Sequence, residues 1–296
     1  FDECVQASMD FESAITGVAK TTDLTDEELA DMSDAIKAMS TEIPASTTEI
    51  AAVAEAAGQL GIQKDALLDF TRVMTMLGTA TNMTAEDAAT ALARFANITG
   101  MSADNYDRLG AVIVDLGNNF ATTESEITQM GTRLASGGRL AGLTEPQIMA
   151  LAAAMSSVGI EAEAGGTAMT QTLNAIEKAV ANGEDALQGF ADVAGMSADE
   201  FAQTWSTDAL DALTAFIRGL GTLDERGESA VLVLEDLGLK GIRQGNMLKS
   251  LALAADQMDS AVQTANTAWD ENIALTNEAN KRYATTQSKL DMMQNA

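Results

Sequence analysis

One pattern occurs twice in this chain, as STTEIAAVAEAAGQLGI at Ser46–Ile62 and as TEPQIMALAAAMSSVGI at Thr144–Ile160, 98 residues further on. Each copy opens with Ser or Thr, followed three residues later by Glu or Gln. This is the capping box that satisfies the unpaired N–H groups at a helix start. Each copy has a glycine 15 residues after its first residue, and glycine readily takes the left-handed conformation that ends a helix. The two segments therefore predict two helices of equal length in a duplicated packing unit.

Two further pairs of segments extend the duplication. Thr25–Leu29 matches Thr123–Ile127 at the same offset of 98, and Leu92–Asp104 matches Leu187–Asp199 at an offset of 95. The residues that recur are helix starts, helix stops and buried stripes, and no reactive group recurs with them. Such a doubled set of packing instructions is typical of a scaffold.

Helix boundaries are marked along the whole chain. Apolar side chains recur at helical spacing in runs of three or four turns, the usual helix length in globular proteins. Capping boxes begin at five positions: Thr25, Ser46, Thr123, Thr144 and Ser197. Glycines follow the end of an apolar run at six positions, where we expect helix stops: Gly61, Gly78, Gly117, Gly159, Gly221 and Gly238.

These signals predict an all-α fold without a sheet. We expect about a dozen short capped helices in a duplicated helical unit, followed by a long C-terminal helix or the start of a coiled coil. The composition agrees, since 296 residues include only two prolines, and Ala and Met take the place of aromatic residues, which make up 4%. The predicted segments are a first helix, two repeat units, a connector and a long helix: 1–22, 23–120, 121–221, 222–255 and 256–296.

The net charge is −27, and it is unevenly distributed. Residues 1–237 hold 38 acidic and 11 basic side chains, whereas residues 238–296 hold six of each. A protein that binds a nucleic-acid duplex needs a basic face to displace counterions, so no specific nucleic-acid binding is expected. The acidity fits either a solvated surface that keeps the protein in solution or a surface that must not adhere to nucleic acid passing nearby.

Few residue types that carry chemistry are present. The chain has no histidine and one cysteine, Cys4, so neither an internal disulfide nor a Cys/His metal site is expected. Carboxylates are too numerous for one pair to be singled out as general acid and base. We therefore expect no catalytic, cofactor-binding or metal-binding residue, no cofactor and no enzymatic activity. The sequence contains no run of about 18 apolar residues, the length that a helix needs to span a bilayer. The start at Phe1 indicates an interior piece of a longer protein.

Several short motifs have plain structural interpretations. The glycine-rich run Gly137–Gly142 lacks the Lys-Ser/Thr of a phosphate loop and predicts a flexible turn. Gly165-Gly166-Thr167 predicts a capped turn at a helix start. The acidic run Asp23–Asp34 lacks the ligand spacing of a calcium loop and predicts a solvated helix start, where the helix dipole favours carboxylates. Trp205 and Trp269 are interpreted as helix-packing anchors.

The last stretch differs from the rest, because residues 256–293 contain neither proline nor glycine. Apolar, small and polar residues there keep an alternating 4,3 spacing, which predicts one continuous helix of roughly 55 Å with a heptad seam. That helix either lies on its own domain or begins a self-associating rod. The candidate self-association seam comprises Met258, Val262, Ala265, Trp269, Ala279, Tyr283, Leu290 and Met293.

One compact basic patch precedes that stretch. Lys240, Arg243 and Lys249 lie among three glycines within residues 238–249. Small residues at this spacing permit close helix contact. The three bases are a candidate partner patch, suited to an acidic partner or to the acidic part of this chain.

Several segments resemble the core region of tail tape-measure proteins of long-tailed bacteriophages. Among them are LTEPQIMALAAAMSSVGIEAEAGGTAMTQTL at Leu143–Leu173, and the segments Thr41–Ile98 and Leu234–Leu251. The ending NTAWDENIALTNEANKRYATTQSKLDMM, Asn266–Met293, is similar to the stretch where that family passes into its long helical rod. The resemblance covers nearly the whole chain, and its glycine-containing segments are more specific than a capped helix alone.

The resemblance implies a role that composition could not supply. Such proteins assemble in the host cytoplasm, occupy the tail tube lumen or tail tip of the virion, set tube length, and leave ahead of the DNA on ejection. The implied partners are two further copies, giving a trimer as tube symmetry indicates, with tube, distal tail and tail-tip proteins and tail assembly chaperones. Short, repeatedly capped helices cannot lengthen as one rod, so this segment is expected to be the head, with the rod beginning near Asp256.

Two other classes of protein share parts of this pattern. A non-phage helical interaction or scaffold module, secreted or signalling, would also combine acidity, an Ala/Met core and a long last helix. A lysin-like hydrolase is opposed by the absence of histidine and of a catalytic constellation. Continuation of the protein into a long helical region, encoded beside tail genes, distinguishes the tape-measure class from the module. A peptidoglycan-cleavage assay distinguishes it from the hydrolase.

Overall fold

The computed structural model describes residues 2–183 and 185–295, with side chains from Gln6 onward. Those residues form seventeen α-helices and one 3₁₀ turn, and they include no β-strand. The predicted all-α class is confirmed, although the described helices outnumber the expected dozen. Part of the excess arises in the last stretch, where three helices replace the one predicted.

The helices belong to two compact units. The first unit, Phe1–Val114 with Asp270–Ala296, holds α1 (Asp2–Thr21), α2 (Asp26–Glu42), α3 (Thr47–Gln59), α4 (Leu67–Ala80), α5 (Ala85–Thr99), the 3₁₀ turn Ala103–Asn105, most of α6 (Tyr106–Asn119), α16 (Ala274–Tyr283) and α17 (Thr286–Asn295). The second unit, Asp115–Trp269, holds α7 (Glu124–Leu140), α8 (Glu145–Ser157), α9 (Ala162–Asn182), α10 (Asp185–Ala194), α11 (Ala198–Thr207), α12 (Ala209–Thr222), α13 (Ala230–Asp236), α14 (Ile242–Ala252) and most of α15 (Ala255–Glu271).

The bounds of these two units differ from those of the five predicted segments. The predicted segments describe sequence repeats, and they stay a prediction. Residues after 269 do not form a separate body, because α16 packs against α4 and α17 packs against α2. The first unit is therefore built from two distant stretches of the chain, and the second unit from one continuous stretch.

The duplicated pattern produces helices of matching length. α2 and α7 each have 17 residues, α3 and α8 each have 13, and the bounds of both pairs are offset by 98. All five predicted capping boxes are present. At Ser46, the N–H of Glu49 donates to Ser46 Oγ (3.2 Å), and the N–H of Ser46 donates to a Glu49 carboxylate oxygen (2.7 Å). A cap of this kind stabilises a helix by about 1 kcal/mol.

Three of the six predicted glycine stops are confirmed. Gly61, Gly159 and Gly238 have φ values of 79°, 77° and 78°, in the left-handed region. The residue after each glycine donates its N–H to a carbonyl one turn back, as Ile62 does to Ala57 at 3.1 Å. These bonds satisfy carbonyls that would otherwise lack a partner at the helix end.

The other three predicted stops are wrong, because Gly78, Gly117 and Gly221 lie inside α4, α6 and α12. These glycines instead allow a neighbouring segment to lie close to the helix. A Cβ at Gly78 would lie 2.7 Å from the backbone nitrogen of Ala85, and a Cβ at Gly117 would lie 2.8 Å from the Glu124 side chain. Both distances are shorter than ordinary contact. The backbone of Ala85 leaves no room for a Cβ at Gly78, whereas a Cβ at Gly117 would require the Glu124 side chain to move.

The predicted flexible turn at Gly137–Gly142 is also wrong for most of its length. Gly137 and Gly138 are buried inside α7, and only Gly142, with φ 85°, forms the turn. A Cβ at Gly137 would lie 2.8 Å from the Thr170 side chain on α9, and one at Gly138 would lie 2.8 Å from Ile148 on α8. These two glycines therefore let α7 pack closely against both neighbours.

Each unit has its own aromatic cluster. In the first, Phe70 meets Tyr106 edge to face with ring centroids 4.7 Å apart. In the second, Phe190 packs against Phe201 and Phe216. The interpretation of Trp205 as an anchor is confirmed, since it is buried and its indole N–H donates to Glu177 at 2.7 Å. Trp269 is half-buried on α15.

Gly219 provides a sharp test of close helix packing. In α12, a Cβ at this position would overlap the backbone carbonyl oxygen of Val193 on α10. Backbone atoms cannot swing away, so Gly219→Ala should lower the free energy of unfolding by about 1–3 kcal/mol. The matched control is Gly245→Ala in α14, where the nearest side-chain atom would be 3.8 Å away. That change should raise stability by about 0.4–1 kcal/mol. Chemical denaturation measures both, and equal effects would contradict the packing.

The cap of α2 predicts a titration. Lys64 Nζ donates to Glu28 Oε1 (2.6 Å) and the Thr25 N–H donates to Glu28 Oε2 (2.9 Å). The pKa of Glu28 is lowered from 4.5 to about 2, mainly by the hydrogen bond from Lys64 and next by the backbone hydrogen bond from Thr25. Because the folded-state pKa is lowered, the carboxylate stabilises the fold above pH 4.5, and this contribution is lost as pH falls toward 2.

We therefore expect Lys64→Met to raise the pKa of Glu28 toward 4.5, as followed by NMR titration of its carboxyl carbon. The variant should also lose less stability than the parent on acidification. Lys37→Met, which removes an exposed pair with Asp34 on the same helix, is the control and should leave Glu28 unchanged. An unaltered Glu28 titration in Lys64→Met would contradict the assignment.

Candidate interaction surfaces

The predicted continuous helix over 256–296 is wrong, because the chain breaks between α15 and α16 and again before α17. The first break is at Asn272, whose φ of 51° is left-handed. Asn tolerates this conformation better than most residues, and its side-chain amide donates to Asp107 on α6. The break after α15 thus coincides with the contact between Asn272 and Asp107, although the sequence has no proline or glycine there.

α16 lies on the first unit through small and apolar side chains. Leu275 is buried, and one of its methyl carbons would be 2.9 Å from a Cβ at Gly110 on α6. Ala279 is fully buried one turn later. The Tyr283 hydroxyl is hydrogen-bonded to Thr79 on α4 (3.2 Å), and burial raises the pKa of Tyr283.

α17 is held more lightly, by polar contacts at its end. No described residue of α17 is fully buried. The Asn295 amide donates to the carbonyl oxygens of Ser40 (3.1 Å) and Ala45 (3.0 Å), beside the end of α2. Leu290 and Met293 remain 47% and 73% exposed.

The eight candidate seam residues lie on three helices, divided between the two units. Met258, Val262, Ala265 and Trp269 lie on α15 in the second unit, and Ala279, Tyr283, Leu290 and Met293 lie on α16 and α17 in the first. The buried members are Met258, Ala265 and Ala279. Of the two interpretations of this stretch, packing on its own unit fits α16 and α17, and self-association through the seam stays a prediction.

The three bases of the candidate partner patch lie in and beside α14. Lys240 and Arg243 are exposed and Lys249 is half-buried. None of them forms an ion pair within the described part of the chain. Arg243 and Lys249 are six residues apart, so they point about 120° apart around the helix. Arg243 and Lys249 therefore border different surfaces, and a role of the three bases in binding a partner stays a prediction.

Arg243 borders a groove of about 1020 Å³ between the start of α9 and α14, within the second unit. On the α9 side the lining residues include Glu161, Glu163 and Thr167, and on the α14 side they include Ile242 and Arg243. One wall is therefore acidic and the other basic. The predicted capped turn at Gly165-Gly166-Thr167 is wrong, because these residues lie inside α9, which begins at Ala162 without a side-chain cap. Gly165 lines this groove.

A buried amide fixes the two walls of the groove together. Gln244 is 6% exposed, and its side-chain nitrogen donates to Thr172 Oγ1 (3.0 Å) and to the Ala168 carbonyl (3.5 Å), both on α9. A buried amide that is hydrogen-bonded across two helices specifies their register. The groove is thus a preformed feature of the second unit.

Lys249 borders an exposed stripe on α14. Ile242, Asn246, Lys249 and Leu253 are spaced by four, three and four residues, and so share one face of the helix. Ile242 is 83% exposed and Leu253 is 90% exposed. The opposite face, with Met247, Leu248 and Leu251, is buried.

The described residues show no cluster of acidic, histidine or cysteine side chains that could hold a metal ion. Arg218 on α12 pairs with Asp256 (2.7 Å) and Asp259 on α15, and this pairing raises the pKa of Arg218. All three side chains are largely exposed, so this is a surface link between helices. None of the described helices combines the length and the apolar character needed to cross a membrane.

Sequence reasoning found the bases but missed the groove and the stripe. Gln244 reads as a polar surface residue, and only the contact with α9 explains its burial. A signal for the stripe was present, because Ile242 and Leu253 fall on the opposite side of a helix from Met247, Leu248 and Leu251.

The fold is that of an all-α protein in which two capped helices, α2 and α3, recur with the same lengths as α7 and α8. The sequence model of the family described as "Phage-related minor tail protein" matches residues 33–234, and the chain belongs to that family. The chain is also 25% identical over 240 residues to a "Probable tape measure protein" of Halomonas phage phiHAP-1, covering 77% of this chain and 28% of that protein. The chain thus spans just over a quarter of that relative's length. No solved structure matches this chain.

These findings confirm the resemblance to phage tail tape-measure proteins. Membership of the family gives the chain a role in the phage tail, as part of the virion. The interpretation as a secreted or signalling module from outside phages is not retained, because the match to a phage tail family spans residues 33–234.

The packing of the last helices predicts a contrast between two leucines. Leu275 is 4% exposed against α6, whereas Leu290 is 47% exposed on α17. Leu275→Ala should lower the free energy of unfolding of the first unit by about 2–5 kcal/mol, and Leu290→Ala should change it by less than about 0.5 kcal/mol. Thermal unfolding followed by circular dichroism measures both. Similar effects of the two changes would show that α16 does not pack as described.

Proposed function

We propose that this chain is the folded head of a tape-measure protein, which sets the length of the phage tail tube during assembly and leaves ahead of the DNA on ejection. The observation that carries the proposal is the family match across residues 33–234, which includes most of the first predicted repeat unit and all of the second. The name of the phiHAP-1 relative supports the same role.

The physical basis of a molecular ruler is the constant rise of a helix, about 1.5 Å per residue, which converts residue number into length. The structure of this segment is unsuited to that task. The described helices are at most 21 residues long; capping boxes begin several of them and left-handed glycines end several. Removing one helix from such a unit removes packing, and does not shorten a rod. We therefore assign the measuring function to other parts of the longer protein.

The proposed setting determines partners and location. The protein assembles in the host cytoplasm with tail assembly chaperones, and then occupies the tube lumen or the tail tip, in contact with tube and distal tail proteins. Three copies would match the symmetry of the tube. The role is one of occupying space and making contacts, without catalysis.

The acidic surface suits a protein that shares a narrow passage with DNA. A net charge of −27 repels phosphate groups. Such repulsion would help the protein to leave the tube ahead of the DNA without being retained on it.

The test is made in the phage with the full-length protein. Deleting helical residues outside this segment should shorten tails by about 1.5 Å per residue removed, as measured by electron microscopy. The matched control inserts the same number of flexible residues between Gly227 and Glu228, in the exposed turn before α13. Tails should keep their normal length there. Unchanged tails after the deletions would overturn the measuring role, and proportionally longer tails after the insertion would overturn the distinction between head and ruler.

A further inference from the structure

The last two helices form an arm that docks on the first unit. This arm, α16 and α17 (Ala274–Asn295), has its main contacts with α4 and α2. Leu275 and Ala279 are buried, and Asn295 donates two hydrogen bonds to backbone carbonyls beside the end of α2. All of these contacts lie within the first unit, whose other helices come from the N-terminal part of the chain. The arm is therefore a separate stretch of sequence that completes a distant body.

The connection to this arm is short and strained. Only Asn272 and Ile273 separate the end of α15 from the start of α16. Asn272 has a φ of 51°, and it is the one residue other than glycine with a positive φ in the described part of the chain. That conformation costs free energy for a residue with a side chain, although Asn tolerates it better than most. A short hinge under strain favours exchange of the element that it carries between two copies of a chain.

The sequence gives this hinge a second conformation. Residues 256–293 contain no proline or glycine, and apolar and small residues keep helical spacing through the hinge. With right-handed φ and ψ at Asn272 and Ile273, α15 and α16 join in one continuous helix, because each residue there retains its backbone N–H. The left-handed turn that directs α16 onto α4 of its own chain is then absent.

Undocking the arm would expose an apolar surface. A methyl carbon of Leu275 lies 2.9 Å from the position of a Cβ at Gly110, and side chains of Val73 and Leu77 lie 3.6 and 3.7 Å from the same position. With the arm in place, Leu77 is fully buried and Val73 is 9% exposed. Exposing such side chains to water is unfavourable. The segment that fits this surface is the arm itself, and a second copy of the chain carries the same arm.

We propose that α16–α17 is an exchangeable arm, which docks either on the first unit of its own chain or on the first unit of a second copy. The arm makes the same contacts in both forms, and in the exchanged form α15 and α16 are one helix. The conformation at Asn272 and the entropic cost of association therefore set the balance between the forms. Reciprocal exchange between two chains and cyclic exchange among three both use every arm once. This proposal does not rest on the measuring role.

The test compares two substitutions at the hinge. Asn272→Ala and Asn272→Gly both remove the hydrogen bond to Asp107. Alanine disfavours the left-handed conformation and favours a helix, whereas glycine accepts the former and disfavours the latter. The complete chain of each variant is unfolded in urea and refolded at high concentration, and analytical ultracentrifugation measures its association. We expect the association constant of Asn272→Ala to exceed that of Asn272→Gly at least tenfold, equivalent to about 1.4 kcal/mol.

A second measurement identifies the copy on which each arm docks. Chains with ¹³C-labelled leucine methyl groups are refolded with an equal amount of unlabelled chains. Isotope-filtered NMR then records nuclear Overhauser effects between chains. In the oligomer, the Leu275 methyl groups of a labelled chain should show this effect to the Cα protons of Gly110 in an unlabelled chain, because these groups are in contact in the docked arm. The monomer should show no such effect between chains.

The control adds Met293→Ser to Asn272→Ala. It removes a 73% exposed side chain from α17 and should leave the association constant unchanged. The proposal is overturned if Asn272→Ala stays monomeric, if Asn272→Gly associates equally, or if Leu275 and Gly110 are in contact only within one chain. If Met293→Ser abolishes association, the copies meet through the exposed face of α17, and the assignment to arm exchange is wrong.

Discussion

The constraint on which this structure depends is the close approach of helices at positions where a side chain is missing. Gly137 and Gly138 bring α7 against α9 and α8, and Gly219 brings α12 against the backbone of α10. With few aromatic residues to fill space, the cores rely on short interhelical distances and on many small contacts. This packing also positions one wall of the groove beside α14, because α9 packs on both α7 and α14.

Helix starts could be predicted from the sequence because a capping box is a local device. All its donors and acceptors lie within four residues, so the pattern at Ser46 or Thr144 specifies its own geometry. Glycine is different, because one residue type meets two requirements. At Gly61 it supplies a left-handed φ, and at Gly78 it makes room for Ala85. Only the neighbouring helix distinguishes the two uses, and a sequence does not show that neighbour.

The candidate interaction surfaces, like the helices, could be predicted from the sequence only in part. Lys240, Arg243 and Lys249 could be identified by their charge, but their division between a groove and a stripe required the position of α9. The heptad spacing of the last stretch includes three positions that are buried, Met258, Ala265 and Ala279. It could not show that Asn272 would leave the helix to meet Asp107, because that contact joins residues 165 positions apart. Local periodicity describes which face is apolar, and tertiary contacts determine what covers it.

The division of the first unit between two stretches of chain has a consequence for biosynthesis. The second unit occupies one continuous segment, so all of its residues leave the ribosome before α16 does. The first unit begins earlier but stays incomplete, because Asn295 must return to Ser40 across 255 residues. Nascent domains fold as their residues emerge, and contacts between distant residues form slowly. The faces of α4 and α2 that receive α16 and α17 therefore wait longest for their final partners, and a chaperone that acts on the nascent chain would find these two faces uncovered.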